Sequence, residues 1–162
     1  TAGSAVRLNR ELAEDFLDFA ILYSPLIGPA LDSRVIAHDR LVLVRSAGLD
    51  NWRDGWVDIN WGDDIGAEIN RIVAIEDGAG IRLDFGGLAV EWIESCAASG
   101  YVPERLAQGA LARGTIVRVD GMPDLDFPVY AAWPRSRSDL VEPLLASLTA
   151  FIARLDPPFS SG

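Results

Sequence analysis

Apolar positions along the chain fall into short blocks whose spacing switches between two periods. Residues 5–14 place Val6, Leu8 and Leu12 near helical spacing, with Ser4 in position to cap the first turn. Residues 16–24 are mostly apolar, the pattern of a strand covered on both faces, and Ser24-Pro25 ends the run. Two β-rich runs follow at 33–39 and 40–46, split by an expected turn at His38-Asp39. Residues 55–61 alternate, with Trp56, Asp58 and Asn60 on one side and Val57, Ile59 and Trp61 on the other. A helix over 62–72 opens on Asp63 and Asp64, where the macrodipole favours acids. After a strand at 80–85, residues 86–99 predict a helix with an inner stripe of Leu88, Trp92 and Cys96 and with Gly100 as its terminating glycine.

The next stretch, 99–114, reads as a very short strand, Gly100-Tyr101-Val102, stopped by Pro103 and continued at once as a helix ending at Gly114. Strands at 115–120 and 127–134 come next, then a helix over 139–154 with Leu140, Leu144, Leu148 and Ile152 on one stripe. Pro143 fits only its first turn, and the tail 156–162 is expected to fray. Strands alternating with helices argue for an α/β class with parallel strands covered by helices. The runs near residues 43 and 130 could each pass between two lobes, one built from 1–46 plus 128–162 and the other from 47–127. Such a join would create a cleft of the kind that holds small ligands.

Charge narrows the partners. The formal net charge is −10 and all 14 basic residues are Arg, so these residues repel a phosphate backbone. No apolar run approaches the roughly 20 residues that cross a bilayer, so no membrane partner is expected. The start has neither a signal-peptide pattern nor an initiator Met, which suggests a trimmed chain. A single cysteine, Cys96, excludes an internal disulfide and a Cys-based zinc site, and fits a reducing cytoplasm.

Five stretches, at 16–25, 40–46, 56–65, 86–106 and 127–134, follow one another in a telling order. They include the pair Trp61-Gly62 and the run Gly100-Tyr101-Val102-Pro103-Glu104-Arg105. In this order they resemble the C-terminal effector-binding domain of LysR-type transcriptional regulators, from about residue 5 to residue 155. The resemblance implies a two-lobed fold like that of type 2 periplasmic binding proteins, with two crossing strands. It also implies that the first lobe is incomplete, lacking an opening strand, helix and strand, and that the winged helix-turn-helix and its linker helix lie outside these 162 residues. A fragment, or a lobe completed by another strand, is therefore expected.

The function that follows from the resemblance is sensing. A small-molecule effector binds in the cleft, without chemistry, and controls transcription allosterically. The full-length protein is expected to form a homodimer or tetramer and to meet DNA only through the missing domain. Its ligand-binding candidates are Ser4, Ser24 and Pro25 from the first lobe and Asn60, Trp61, Gly86, Gly87 and Tyr101 from the second. Gly86-Gly87 precedes a helix whose free N–H groups suit an anion, and glycine permits close approach; a plain tight turn is the alternative. Ser4 serves equally as a cap, Trp61 equally as core, and Tyr101 is expected to pack its ring and bring its hydroxyl to a polar partner. No metal or cofactor is expected. His38 reads as a turn residue rather than a catalytic base, Cys96 as a buried inert thiol, and Asp63-Asp64 as helix-start acids rather than ligands. No Gly-x-Ser-x-Gly elbow or phosphate loop is present, so an α/β enzyme is the weakest alternative; a transport-type solute-binding protein is the stronger one.

Overall fold

The computed structural model describes residues 4–155 apart from 27, 76–80 and 85. The expected frayed tail and the glycine-rich residues 77–80 lie outside them. The chain divides into two compact units, Thr1–His38 with Pro128–Gly162, and Asp39–Phe127.

The first unit begins with α1 (Ala5–Ala13), capped by Ser4, with Leu8 and Leu12 buried. Strand β1 (Ala20–Leu22) pairs antiparallel with β7 (Leu125–Pro134), Ile21 facing Ala131. This corrects the expected strand covered on both faces. Ala20 and Leu22 are buried but Ile21 is exposed, because β1 is a short edge strand with one face inward. Leu12, Ala20, Leu22, Leu31 and Ala132 form one core cluster; Ile36, Ala131, Trp133, Val141 and Leu145 form another.

The expected break at His38-Asp39 is not a turn. Strand β2 (Leu31–Ser46) runs through it without interruption and passes from the first unit to the second there; β7 passes back between Phe127 and Pro128. The pleat resolves the polar pair: His38 points to the exposed side, while Asp39 turns inward and accepts the Arg40 amide at 2.8 Å.

In the second unit β2 pairs antiparallel with β5 (Ser99–Pro103), Leu43 opposite Tyr101, and with β6 (Ile116–Arg118). Strands β3 (Val57–Ile59) and β4 (Ile81–Leu83) pair in parallel, while β1 with β7 and β2 with β5 and β6 pair antiparallel, against the expectation of parallel strands generally. The long strands fold back beside their partners, and antiparallel pairing needs no crossover helix. Helices α2 (Asp63–Val73), α3 (Ala89–Ser95) and α4 (Glu104–Arg113) bury Ile69 and Val73, Ala89 and Ile93, and Ala107 and Ala110.

Two expected helix faces are out of phase. On α3 the core stripe is Ala89 and Ile93, while Leu88, Trp92 and Cys96 are exposed. The small Ala89 and the larger Ile93 are both fully buried, so the core stripe lies one position away from the one that residue size suggests. Nor does Gly100 end this helix. Cys96 is its C-cap, Ala97 adopts the left-handed backbone at φ 40°, and Gly100 sits inside β5. A Cβ on Gly100 would lie 2.8 Å from Ile59 Cδ1, so the glycine serves close strand packing.

On α5 (Ser138–Leu155) the buried members are Val141 and Leu145, with Leu148 and Ile152 packed against them; Leu140 and Leu144 are exposed. The expected i, i+4, i+8, i+12 line drifts about 40° per step at 100° per residue, whereas 141, 145, 148 and 152 hold one face. Pro143 is the sixth residue of α5, beyond the first turn. The phase is testable by denaturant unfolding. Leu145→Ala should cost about 2–5 kcal/mol, the range for emptying a core site. Leu144→Ala should stay within about 0.5 kcal/mol, as for a surface change; equal costs would contradict this packing.

Candidate functional site

The second unit brings four of its five sequence-predicted site residues into one linked set at the carboxyl ends of β3 and β4. The Asn60 amide N–H continues the ladder to the Leu83 carbonyl at 2.9 Å. Its side chain then ties both strand ends together. Nδ2 donates to Asp84 Oδ1 at 2.6 Å, and Oδ1 accepts the Gly62 amide at 3.1 Å. Gly62, at φ 114°, makes the turn that starts α2, a backbone conformation that favours glycine.

Trp61 is buried. Its indole Nε1 donates to the Tyr101 carbonyl at 2.8 Å, and its ring meets Phe127 edge-on at 5.6 Å. Gly86 lies against that ring so closely that a Cβ there would fall 2.2 Å from Trp61 Cζ3. Gly86–Leu88 form a 3-10 turn that leads into α3, and Gly87 is exposed in it. The glycine pair therefore precedes α3 by a turn rather than forming its first residues. Tyr101 is 1% exposed, and its hydroxyl donates to the Pro123 carbonyl at 3.0 Å. Burial first, then the nearby negative charges of Asp124 and Glu68, raise its phenol pKa above the ordinary value.

The first unit links the other three. Ser4 Oγ accepts the Arg7 amide at 3.4 Å as the α1 cap. From the same helix Asn9 reaches across, donating Nδ2 to the Ser24 carbonyl at 2.8 Å and accepting the Leu26 amide at 2.8 Å. Asn9 thus holds the Ser24-Pro25 turn against α1. Sequence reasoning passed over both Asn9 and Asp84. The signal for Asn9 was a poor helix former in mid-helix whose short side chain competes for backbone partners; Asp84 carried no comparable mark.

His38 is exposed in β2, and Asp63 and Asp64 are exposed in the first turn of α2. Cys96 is exposed, which corrects the expected buried thiol. Among the described residues no group of three or more His, Cys, Asp or Glu could hold a metal ion, and no helix is long and apolar enough to cross a membrane.

The chain has the α/β, periplasmic-binding-protein-like fold of the regulatory domains of LysR-type regulators. The bromide-bound regulatory domain of HypT from Salmonella typhimurium superposes with a TM-score of 0.71 at 15% identity, covering 93% of this chain and 81% of that one. Full-length HypT from the same organism, a hypochlorite-specific LysR-type transcriptional regulator, gives 0.70 at 16% identity, over 95% of this chain and 58% of that one. Full-length LysG from Corynebacterium glutamicum with bound effector Arg gives 0.61 at 15% identity, over 93% and 56%. These matches are to regulators rather than enzymes, and the chain spans little more than half of each full-length protein. No protein-family model matches the chain, and no curated protein does either.

Two tests follow from this geometry. Gly86→Ala should destabilise by about 1–3 kcal/mol, because the buried, hydrogen-bonded indole cannot swing aside. Adding Trp61→Phe should recover part of that loss in a double-mutant cycle of unfolding free energies, and strict additivity would show that the two residues do not touch. The second test concerns pH. The raised phenol pKa of folded Tyr101 means that the unfolded chain loses its proton first, near pH 10. Stability should be level below that pH and fall as pH rises through the folded value. In Tyr101→Phe this part of the alkaline fall should disappear from unfolding curves recorded between pH 8 and 11.

Proposed function

We propose that this chain is the effector-binding domain of a LysR-type transcriptional regulator. Its second unit offers Asn60, Trp61, Gly86 and Gly87 to a small molecule, with Tyr101 as the buried support. The observation that carries the reading is the junction at the carboxyl ends of the parallel pair β3 and β4, where α/β sheets of this kind receive ligands. There the glycine turn leaves backbone within reach of a ligand, and Asn60 and Trp61 are already locked by their own hydrogen bonds. Ser4, Ser24 and Pro25, held by Asn9, are the first unit's offering. The effector is bound and released unchanged, since the linked set contains no nucleophile paired with a base.

The effector's class is a small metabolite, with an anion favoured by the backbone amides of the exposed glycine turn. In the full-length protein a winged helix-turn-helix would contact DNA, and effector binding would shift the population between arrangements of a dimer or tetramer. Charge agrees with this division of labour, because a net −10 suits a sensor rather than a DNA-binding surface.

A thermal-shift screen with metabolites tests the reading. A ligand at a hundred times its Kd should stabilise by about 2.7 kcal/mol. Gly87→Asp places a carboxylate at an exposed turn position, so it should abolish the shift by an anionic ligand and leave the melting temperature of the free protein unchanged. A shift of the same size in the variant would remove the glycine pair from the site.

A further inference from the structure

At the other end of the same parallel pair, where β3 and β4 begin at Val57 and Ile81, the second unit holds a cavity of about 340 Å3. That lies within the range of about 300–1,000 Å3 typical of small-molecule sites. None of the residues assigned above to effector binding lines it.

Its walls divide by chemistry. Trp56, Trp92 and Ile81 are apolar, and both Trp92 and Ile81 keep substantial exposure to solvent. Arg53 and Asp54 stand side by side in the chain and bring one charge of each sign to the cavity. Both are held before any ligand arrives. The Arg53 guanidinium lies over the Trp52 ring at 4.4 Å and donates Nη1 to the Val73 carbonyl at 2.8 Å. Asp54 Oδ1 accepts Asn51 Nδ2 at 3.1 Å. A guanidinium carries five N–H donors and a carboxylate several acceptor positions, so each group has capacity beyond these bonds. A simple anion would meet repulsion from Asp54, and a simple cation would meet repulsion from Arg53. A ligand carrying both charges on neighbouring atoms, with a flat apolar body, satisfies both residues and the indole wall together.

We propose that this cavity is a second ligand site that takes a free aromatic α-amino acid, its carboxylate on Arg53, its ammonium on Asp54 and its ring against Trp92 and Ile81. Preorganised polar groups of this kind lower the ordering cost of binding. The site supplies its own reporter, because Cys96 lines the cavity, is exposed, and is the single cysteine of the sequence.

The test follows thiol modification of Cys96 in the purified protein, read by peptide mass. L-tryptophan at ten times its Kd should slow the reaction about tenfold by mass action. Tryptamine and indole-3-propionate each lack one of the two charges and should leave the rate nearly unchanged at the same concentration. Asp54→Asn and Arg53→Gln should each remove the protection. Arg53 also braces the Val73 carbonyl, so if Arg53→Gln lowers the melting temperature the exposed Asp54→Asn decides. Gly87→Asp should keep the protection, which separates this cavity from the effector site and lets either reading fail alone. The proposal is overturned if millimolar L-tryptophan does not slow the reaction, if either single-charge analogue protects equally, or if Asp54→Asn retains full protection.

Discussion

The bond from the Trp61 indole to the Tyr101 carbonyl organises the second unit around its candidate site. A buried indole N–H without a partner costs about 1–3 kcal/mol, so the ring must stand where that carbonyl is. This placement leaves no room for a side chain at Gly86, and it brings the ring edge-on to Phe127. Tyr101 is fixed in turn: its ring lies edge-on to Trp56 at 6.4 Å and its hydroxyl is held by Pro123. Gly100 beside it lets β5 approach Ile59 and Val57 of β3. The abrupt passage from strand to helix has the same origin. Pro103 is both the last residue of β5 and the cap of α4, at φ −57°, so the chain leaves the sheet without a loop and without an amide donor to satisfy.

Around that junction the charges are arranged to hold α4 by its first residue. Glu104 accepts Arg40 at 2.5 Å and Arg118 at 3.0 Å, and Arg118 also pairs with Asp124 at 2.5 Å. The arginines are partly exposed, so each pair contributes only about 0–1 kcal/mol. Their value lies in geometry, because a planar guanidinium can serve two carboxylates at once where an ammonium would not fix their orientation. Asp39 is the costly member of the neighbourhood. It is buried, its Oδ2 accepts no hydrogen bond, and Arg105 Nε stands 3.8 Å away. That expense falls where β2 passes from one unit to the other.

The first unit rests on a different device. Asp32 accepts Arg135 at 3.0 Å, and Ser138 Oγ donates to its other oxygen at 3.2 Å while accepting the Trp133 indole at 3.1 Å. The hydrogen bond from Arg135 is the main reason the Asp32 carboxyl stays below its ordinary pKa. The start of α5 is thereby tied to β2 and β7 through side chains. Arg34 adds a fork to Glu142, one turn further along the helix.

Local pattern was enough to place most elements. The helical spacing of 5–14, the acids opening α2, the proline between β5 and α4 and the order of the five family-like stretches are properties of neighbouring residues, and the α/β fold is legible from them. The same is true of Trp61, Gly86 and Tyr101 as residues worth naming. What the sequence alone left undecided was which side of an element meets the core. Trp92 and Leu144 look like core residues by size, yet Ile93 and Leu145 are the buried ones. Phase depends on what packs opposite, and a one-residue shift turns a helix by about 100°. His38-Asp39 looked like a break and is a strand, because Arg105 and the pleat accommodate the acid. Asn9 reaching Ser24, Trp61 reaching Tyr101 and the cavity beside Cys96 join residues far apart in the chain. No local period encodes such contacts, so they exist only once the tertiary structure has brought their partners together.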